Sequence, residues 1–282
     1  MAHVPTIRPS RAGAHALLLA LALSVPHLAA ADDGPRLRLS TGFDYSSGDY
    51  GSDATTKILY VPITARYETG SALLKVTVPY LSIESDNCVA TGGGEVICGG
   101  STGTSNTESG LGDVTFSATY YLLPETTNRP SVDLTGKIKL PTADEDKGLG
   151  TGEPDYSIEA ELTKISGSNA VFGSLGYKVF GDPVDYDIND VLFLSVGLAH
   201  QVRSGLSVGL LYDVREATID GRDGMNELTP YFSRRVGDRY KVLGYSVIGL
   251  SDGSADWGIG LQLSRDTEFS EIRRYLPGFL KP

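Results

Sequence analysis

At 282 residues the chain is long enough for one large domain or two smaller ones. It has 34 glycines and 15 tyrosines against two methionines, two cysteines and one tryptophan, and a net charge of −11. So acidic a chain has no electrostatic reason to bind nucleic acid. Past the N-terminus no stretch approaches the ~20 apolar residues of a spanning helix, so a helical membrane protein is excluded.

Residues 1–31 read as a secretory signal, with Arg8 and Arg11 in front, the apolar run ALLLALALSV and three alanines before Asp32. No cysteine follows the cleavage site, which argues against a lipoprotein. His3, His15 and His27 belong to this segment, and His200 is the one histidine beyond it.

Strands then alternate with connections along 32–265. Leu37, Leu39, Thr41 and Phe43 share one face of a strand over 36–45, followed by strands over 58–68 and 72–83. A Gly/Ser/Thr-rich loop, 84–109, leads to the clearest pattern in the chain, between Gly110 and Pro141. There Val114, Phe116, Ala118, Tyr120 and Leu122 alternate with polar residues, and Val132, Leu134, Gly136, Ile138 and Leu140 do so again after PETTNRP. This is an antiparallel hairpin of period two, with strands of about ten residues, long enough to cross a bilayer when tilted. Further strands are expected at 155–165, 169–180, 190–201, 206–217, 227–236, 240–250 and 257–265.

Long and short connections alternate, as in a barrel with short periplasmic turns and longer outer loops. The fold class is therefore all-β: a transmembrane antiparallel up-and-down β-barrel of about twelve strands. Tyr67, Tyr80, Tyr120, Tyr156, Tyr177, Tyr212 and Trp257 share the apolar parity near strand ends, as interfacial girdles do, although tyrosine favours any strand. The strand 240–250 has apolar residues on both faces, and its lipid side is not assigned.

Flipping the second hairpin strand would turn Asp133, Lys137 and Lys139 to lipid, where a midplane lysine costs about 2–4 kcal/mol. They are therefore assigned to the lumen, and the same parity sends Arg66, Lys75, Asp113, Glu159, Glu161, Lys178, Asp213 and Arg215 inward. Lys137 and Lys139 are expected opposite Glu159 and Glu161. Such charges form either a constriction that filters solutes or an ion-pair network that holds a narrow barrel shut.

Cys88 and Cys98 lie in the 84–109 loop, and in an oxidising compartment they are expected to form a disulfide. The loop offers too few ligands for a metal site. Asp185, Asp187 and Asn189 resemble the start of a calcium loop, but Asp190 stands where glycine is required. The GGG at 92–94 precedes no helix, so it makes no phosphate cradle. His200 has the parity of Leu194, Val196 and Leu198, which suits an interfacial side chain better than a catalytic base. Neither catalysis nor a cofactor is expected.

The runs SGLGDVTFSATYYL, KIKLPT, GLGTGEPDY, FGSLGYKVFG and GYSVIGLSDGSADWGIG, in that order over about 36–265, resemble the MetA-pathway-of-phenol-degradation family. The resemblance implies outer-membrane barrel transporters for small, often hydrophobic or aromatic, compounds. The expected partners are outer-membrane lipid, a small-molecule solute and the barrel assembly machinery. The alternative is a structural or surface-interaction barrel with an ion-pair-plugged lumen and no transport. Outer-membrane barrels commonly end on an aromatic-terminated strand, whereas this chain continues through a tail, 266–282.

Overall fold

The computed structural model describes residues 35–52, 54–98, 105–183 and 187–268. The expected signal segment and residues 269–282 of the tail lie outside the described residues. Among the described residues fifteen strands run in chain order: β1 (Arg36–Gly48), β2 (Thr56–Glu68), β3 (Ala72–Ser85), β4 (Cys88–Gly92), β5 (Glu95–Cys98), β6 (Asn106–Leu111), β7 (Val114–Leu123) and β8 (Ser131–Leu140), then β9 (Asp155–Ser166), β10 (Asn169–Val179), β11 (Val191–Arg203), β12 (Leu206–Arg215), β13 (Met225–Val236), β14 (Tyr240–Gly249) and β15 (Trp257–Glu268). The last strand takes in the first three residues assigned to the tail.

All but β4 and β5 form one antiparallel sheet, and it closes, because β1 pairs with both β2 and β15. β6 and β7 pair end to end with β3, one on each side of the Gly112-Asp113 break, and so make a single stave. The barrel thus has twelve staves. Closure leaves no strand edge, the condition for a sheet to stand in lipid. The turns at 69–71, 124–130, 167–168, 204–205 and 237–239 share one end with the first and last strand residues. The longer loops share the other end. The topology expected of an outer-membrane barrel assigns these to the periplasmic and outer sides.

The alternation seen in the sequence is the wall of this barrel. Ile63, Leu74, Leu175 and Leu198 point outward and are more than half exposed, as a lipid-facing belt must be. Their neighbours Thr64, Thr77, Ser174 and Ala199 are buried inside. Tyr45, Tyr80, Tyr156, Tyr177, Tyr212 and Trp257 lie towards the outer ends of their staves, and the Tyr45 and Trp257 rings stand 5.6 Å apart. Tyr67, Tyr120 and Tyr240 lie towards the periplasmic ends. His200 is on the outer face near a periplasmic turn and meets Asn169 at 2.9 Å.

β14 resolves by burial. Leu243 and Val247 face the lumen at 4% and 8% exposure, while Tyr240 and Ile248 face outward at 43% and 45%. At the periplasmic end, Glu125 in the β7–β8 turn accepts hydrogen bonds from Lys164 Nζ at 2.6 Å and the Ile165 N–H at 3.2 Å. The Lys164 ammonium, followed by that backbone donor, holds its carboxyl below the usual range.

Candidate functional site

The 84–109 loop does not stand above the barrel. Its β4–β5 hairpin enters the outer half of the lumen, where Ala90, Val96 and Cys98 pack on Ile58 and Tyr60 of β2 and Leu81 and Ile83 of β3. Cys88 and Cys98 are cross-strand partners in this hairpin and form the expected disulfide. Thr56 Oγ1 meets Cys88 Sγ at 3.1 Å, so the disulfide rests against the barrel wall. From the hairpin tip Glu95 crosses the lumen and pairs with Arg215 of β12.

A second loop, 141–154, packs on the hairpin. Gly148 O accepts from the Ala90 N–H at 2.8 Å, and Leu149, 1% exposed, joins the same apolar cluster. Gly148 has a φ of 66°, and a Cβ there would press on Cys88 O, so glycine serves both the backbone and the contact.

Lys139 organises this end of the site. Its ammonium lies 3.1 Å from Asp113 Oδ2 and 3.2 Å from Asp155 Oδ2, and donates to Thr151 Oγ1 at 3.0 Å. One hydrogen bond thus goes to the Thr151 hydroxyl, and the two carboxylates flank the ammonium as counter-charges. Lys178 joins through Asp155 Oδ2 at 2.8 Å and lies 3.9 Å from the Phe180 ring centroid. Asp113 Oδ1 also accepts from the Thr142 and Ala143 N–H groups, each at 2.9 Å. The GLGDV, KLPT and GTGEPD runs therefore meet at one buried network of two acids and two lysines. Single-sequence reading placed Asp113, Lys139 and Lys178 inside but missed Asp155 as their centre. Its parity with Ser157, Glu159 and Glu161 is the signal that finds it.

The expected pairing of Lys137 and Lys139 with Glu159 and Glu161 is not what forms. The register sets Lys137 opposite Ser157 and Lys139 opposite Asp155, with Glu159 opposite Thr135 and Glu161 opposite Asp133. The acids sit two to six residues nearer the periplasm than their supposed partners require, because β9 begins at Asp155. Among the described residues Lys137 has no carboxylate within 4 Å; it stands beside Thr91 and Gly92 of the hairpin. Asp213 accepts a hydrogen bond from Ser195 Oγ.

The opposite wall, β10 to β15, is built otherwise. Ala170, Ala199, Leu211, Tyr231 and Leu243 form an apolar lumen cluster, with Phe172 and Tyr245 packed against it. Each aromatic ring lies over a glycine of the neighbouring strand: Phe172 on Gly197, Phe193 on Gly176, Tyr231 on Gly209 and Tyr245 on Gly260. A Cβ on any of these glycines would occupy the space of the ring. The rings therefore lie along the wall and leave room beside them.

Of these four rings Tyr245 alone borders a cavity of about 150 Å³, roofed by Gly93, Gly94 and Glu95 of the hairpin. Arg66 and Lys75 line it, with Arg38, Asp44, Glu227 and Lys241, which sequence reading did not single out. Arg38 and Asp44 have the lumen parity of β1, so alternation would have revealed them. Lys241 lay on the strand whose face was not assigned. Among the described residues no three His, Cys, Asp or Glu side chains converge as metal ligands would.

A family model described as "Putative MetA-pathway of phenol degradation" matches residues 41–274. The chain belongs to this family. Among solved structures, an outer membrane channel from Pseudomonas putida F1 is similar at a TM-score of 0.60 and 15% identity, covering 86% of this chain and 100% of that one. That likeness establishes the fold: a closed twelve-stave barrel of the outer-membrane type. The CymD monoaromatic hydrocarbon channel (TM-score 0.43, 10% identity, 85% and 89% covered) and the Pseudomonas putida toluene transporter TodX (0.38, 10%, 84% and 89%) are more distant. No curated protein matches the chain.

Proposed function

We propose that this protein is an outer-membrane channel that passes small, hydrophobic or aromatic molecules. The observation that carries the reading is the cavity inside the barrel, bordered by Tyr60 and by Tyr245, whose ring lies flat over Gly260. A barrel filled for rigidity alone would have no reason to lay Tyr245 over a bare glycine and leave a void beside it. Membership of the family and the outward apolar belt support the same reading.

In this account residues 1–31 direct export and are removed, and the barrel, expected over 32–265, extends along β15 to Glu268. Outer-membrane lipid, the solute and the barrel assembly machinery are the partners, and catalysis has no role. Arg66, Lys75, Lys137 and Glu159 border the path, whereas Asp113, Lys139, Lys178 and Arg215 hold the hairpin and loop that narrow it. Asp133, Glu161 and Asp213 complete the polar lining.

The second reading, a structural barrel with a plugged lumen, draws on the hairpin itself, which occupies the outer half. Purified protein in planar bilayers separates the two. The channel reading expects discrete conductance steps and liposome swelling with small solutes. A membrane that stays silent, with no swelling for any solute tested, would leave the plugged barrel as the answer.

A further inference from the structure

The cavity beneath the hairpin is electrically lopsided. Arg38, Arg66, Lys75 and Lys241 reach it from the periplasmic ends of β1, β2, β3 and β14. Asp44, Glu95 and Glu227 border its outer half. Each of these acids has a partner. Glu95 pairs with Arg215, Asp44 accepts from the Tyr245 hydroxyl at 2.9 Å, and Glu227 accepts from the Ala255 N–H.

The cations are not matched in the same way. Arg38 pairs with Asp266, but among the described residues Arg66, Lys75 and Lys241 have no carboxylate within 4 Å. A charge drawn away from bulk water is costly unless a counter-charge or hydrogen-bond partners replace the lost hydration. Three such cations facing one void form a site complementary to an anion. Arg66 adds a planar fork of donors suited to a carboxylate.

The middle of the cavity has an apolar side. Tyr60, Pro62, Leu243 and Tyr245 flank it, with Tyr60 and Leu243 at 8% and 4% exposure, beside the polar Ser40, Thr64, Gln262 and Ser264. Its volume of about 150 Å³ is that of a cavity that takes a single benzene ring. An inorganic anion would leave this stretch unfilled. An uncharged ring would leave the cations unanswered.

We propose that this cavity is a binding site for a monocyclic aromatic carboxylate. The ring lies among Tyr60, Pro62, Leu243 and Tyr245, and the carboxylate points towards Arg66, Lys75 and Lys241. This deepens the channel reading and rests on it, since the ligand must enter the lumen to reach the site.

The test is calorimetric titration of the full barrel, folded in detergent, with benzoate, benzyl alcohol and acetate as probes. Benzoate should bind at least tenfold tighter than either of the other two. In Lys75→Gln combined with Lys241→Gln, benzoate binding should weaken tenfold or more while benzyl alcohol stays within twofold. Heat-modifiable gel migration verifies that the variant is folded; if it is not, the three probes on the unaltered protein still decide. Equal affinity for benzoate and benzyl alcohol overturns the role of the cations, and equal affinity for benzoate and acetate overturns the role of the ring. Uptake of benzoate into proteoliposomes is scored separately. Binding without uptake would sustain the site and remove the channel reading, and uptake without binding would do the reverse.

Discussion

The two walls of this lumen solve the same problem in opposite ways. On the side of β6 to β10, polar side chains face inward and satisfy one another: Lys139 bridges Asp113, Asp155 and Thr151, and Lys178 joins through Asp155. On the side of β10 to β15 an apolar cluster lies among buried polar groups such as Asp213, Glu227 and Thr229, and its rings lie on glycines of the next strand. The charged wall anchors the hairpin and the 141–154 loop. On the aromatic wall the bare Gly260 lets the Tyr245 ring lie back from the cavity beneath them. Charge on the first wall is structural, and on the second a missing side chain serves the path.

The comparison breaks most severely at Asp155. It is 1% exposed and answers two lysines that are nearly as buried, so Asp155→Asn leaves two positive charges with one acid between them. Breaking a buried pair from one side typically costs about 3–5 kcal/mol. Denaturant unfolding of the purified barrel should show a loss of that order. A loss below about 1 kcal/mol would mean that water reaches the network and that the charged wall is not an anchor.

The aromatic wall is tested at Gly209 and Gly260. A methyl at either position takes the place of the Tyr231 or Tyr245 ring, which must then swing into the lumen. Overpacking of this kind costs about 1–3 kcal/mol. Gly260→Ala should cost that much in the same unfolding experiment and should lower single-channel conductance, because Tyr245 lines the cavity. Gly70→Ala, at a periplasmic turn where a Cβ meets nothing within 4 Å, should change neither. Unchanged conductance in Gly260→Ala would separate the ring from the path.

The same contrast explains what alternation alone can recover. A lipid exterior penalises an outward charge, so Lys137, Lys139 and Glu159 declare their side wherever the lumen is polar. That constraint fixes the staves of the β7–β8 hairpin to within a residue or two. It fails on β14, where Leu243, Tyr245 and Val247 point into an apolar part of the lumen and Val242 and Ile248 point to lipid. With both faces apolar, period two carries no information about direction. The hairpin of β4 and β5 is hidden for a different reason. Cys88, Val89, Ala90, Val96, Ile97 and Cys98 lie inside the lumen, so no lipid face imposes a pattern on them. Partners are harder still to read, because Lys139 finds Asp113 and Asp155 through a register set by where β9 begins.

Lys137 gives the smallest expected effect on stability and the finest comparison. It lies two residues from Lys139 on the same lumen face, yet among the described residues it has no carboxylate within 4 Å. Lys137→Met keeps most of the apolar stem and removes the charge. Because no ion pair is broken, the unfolding free energy should shift by less than about 1 kcal/mol, in contrast to Asp155→Asn. The conductance should still change, since Lys137 stands beside Thr91 and Gly92 where the hairpin narrows the lumen. A large loss of stability would show that Lys137 belongs to the anchoring network after all. Unaltered stability together with unaltered ion selectivity would remove it from the path, leaving the cations beneath the hairpin as the charges that a passing solute meets.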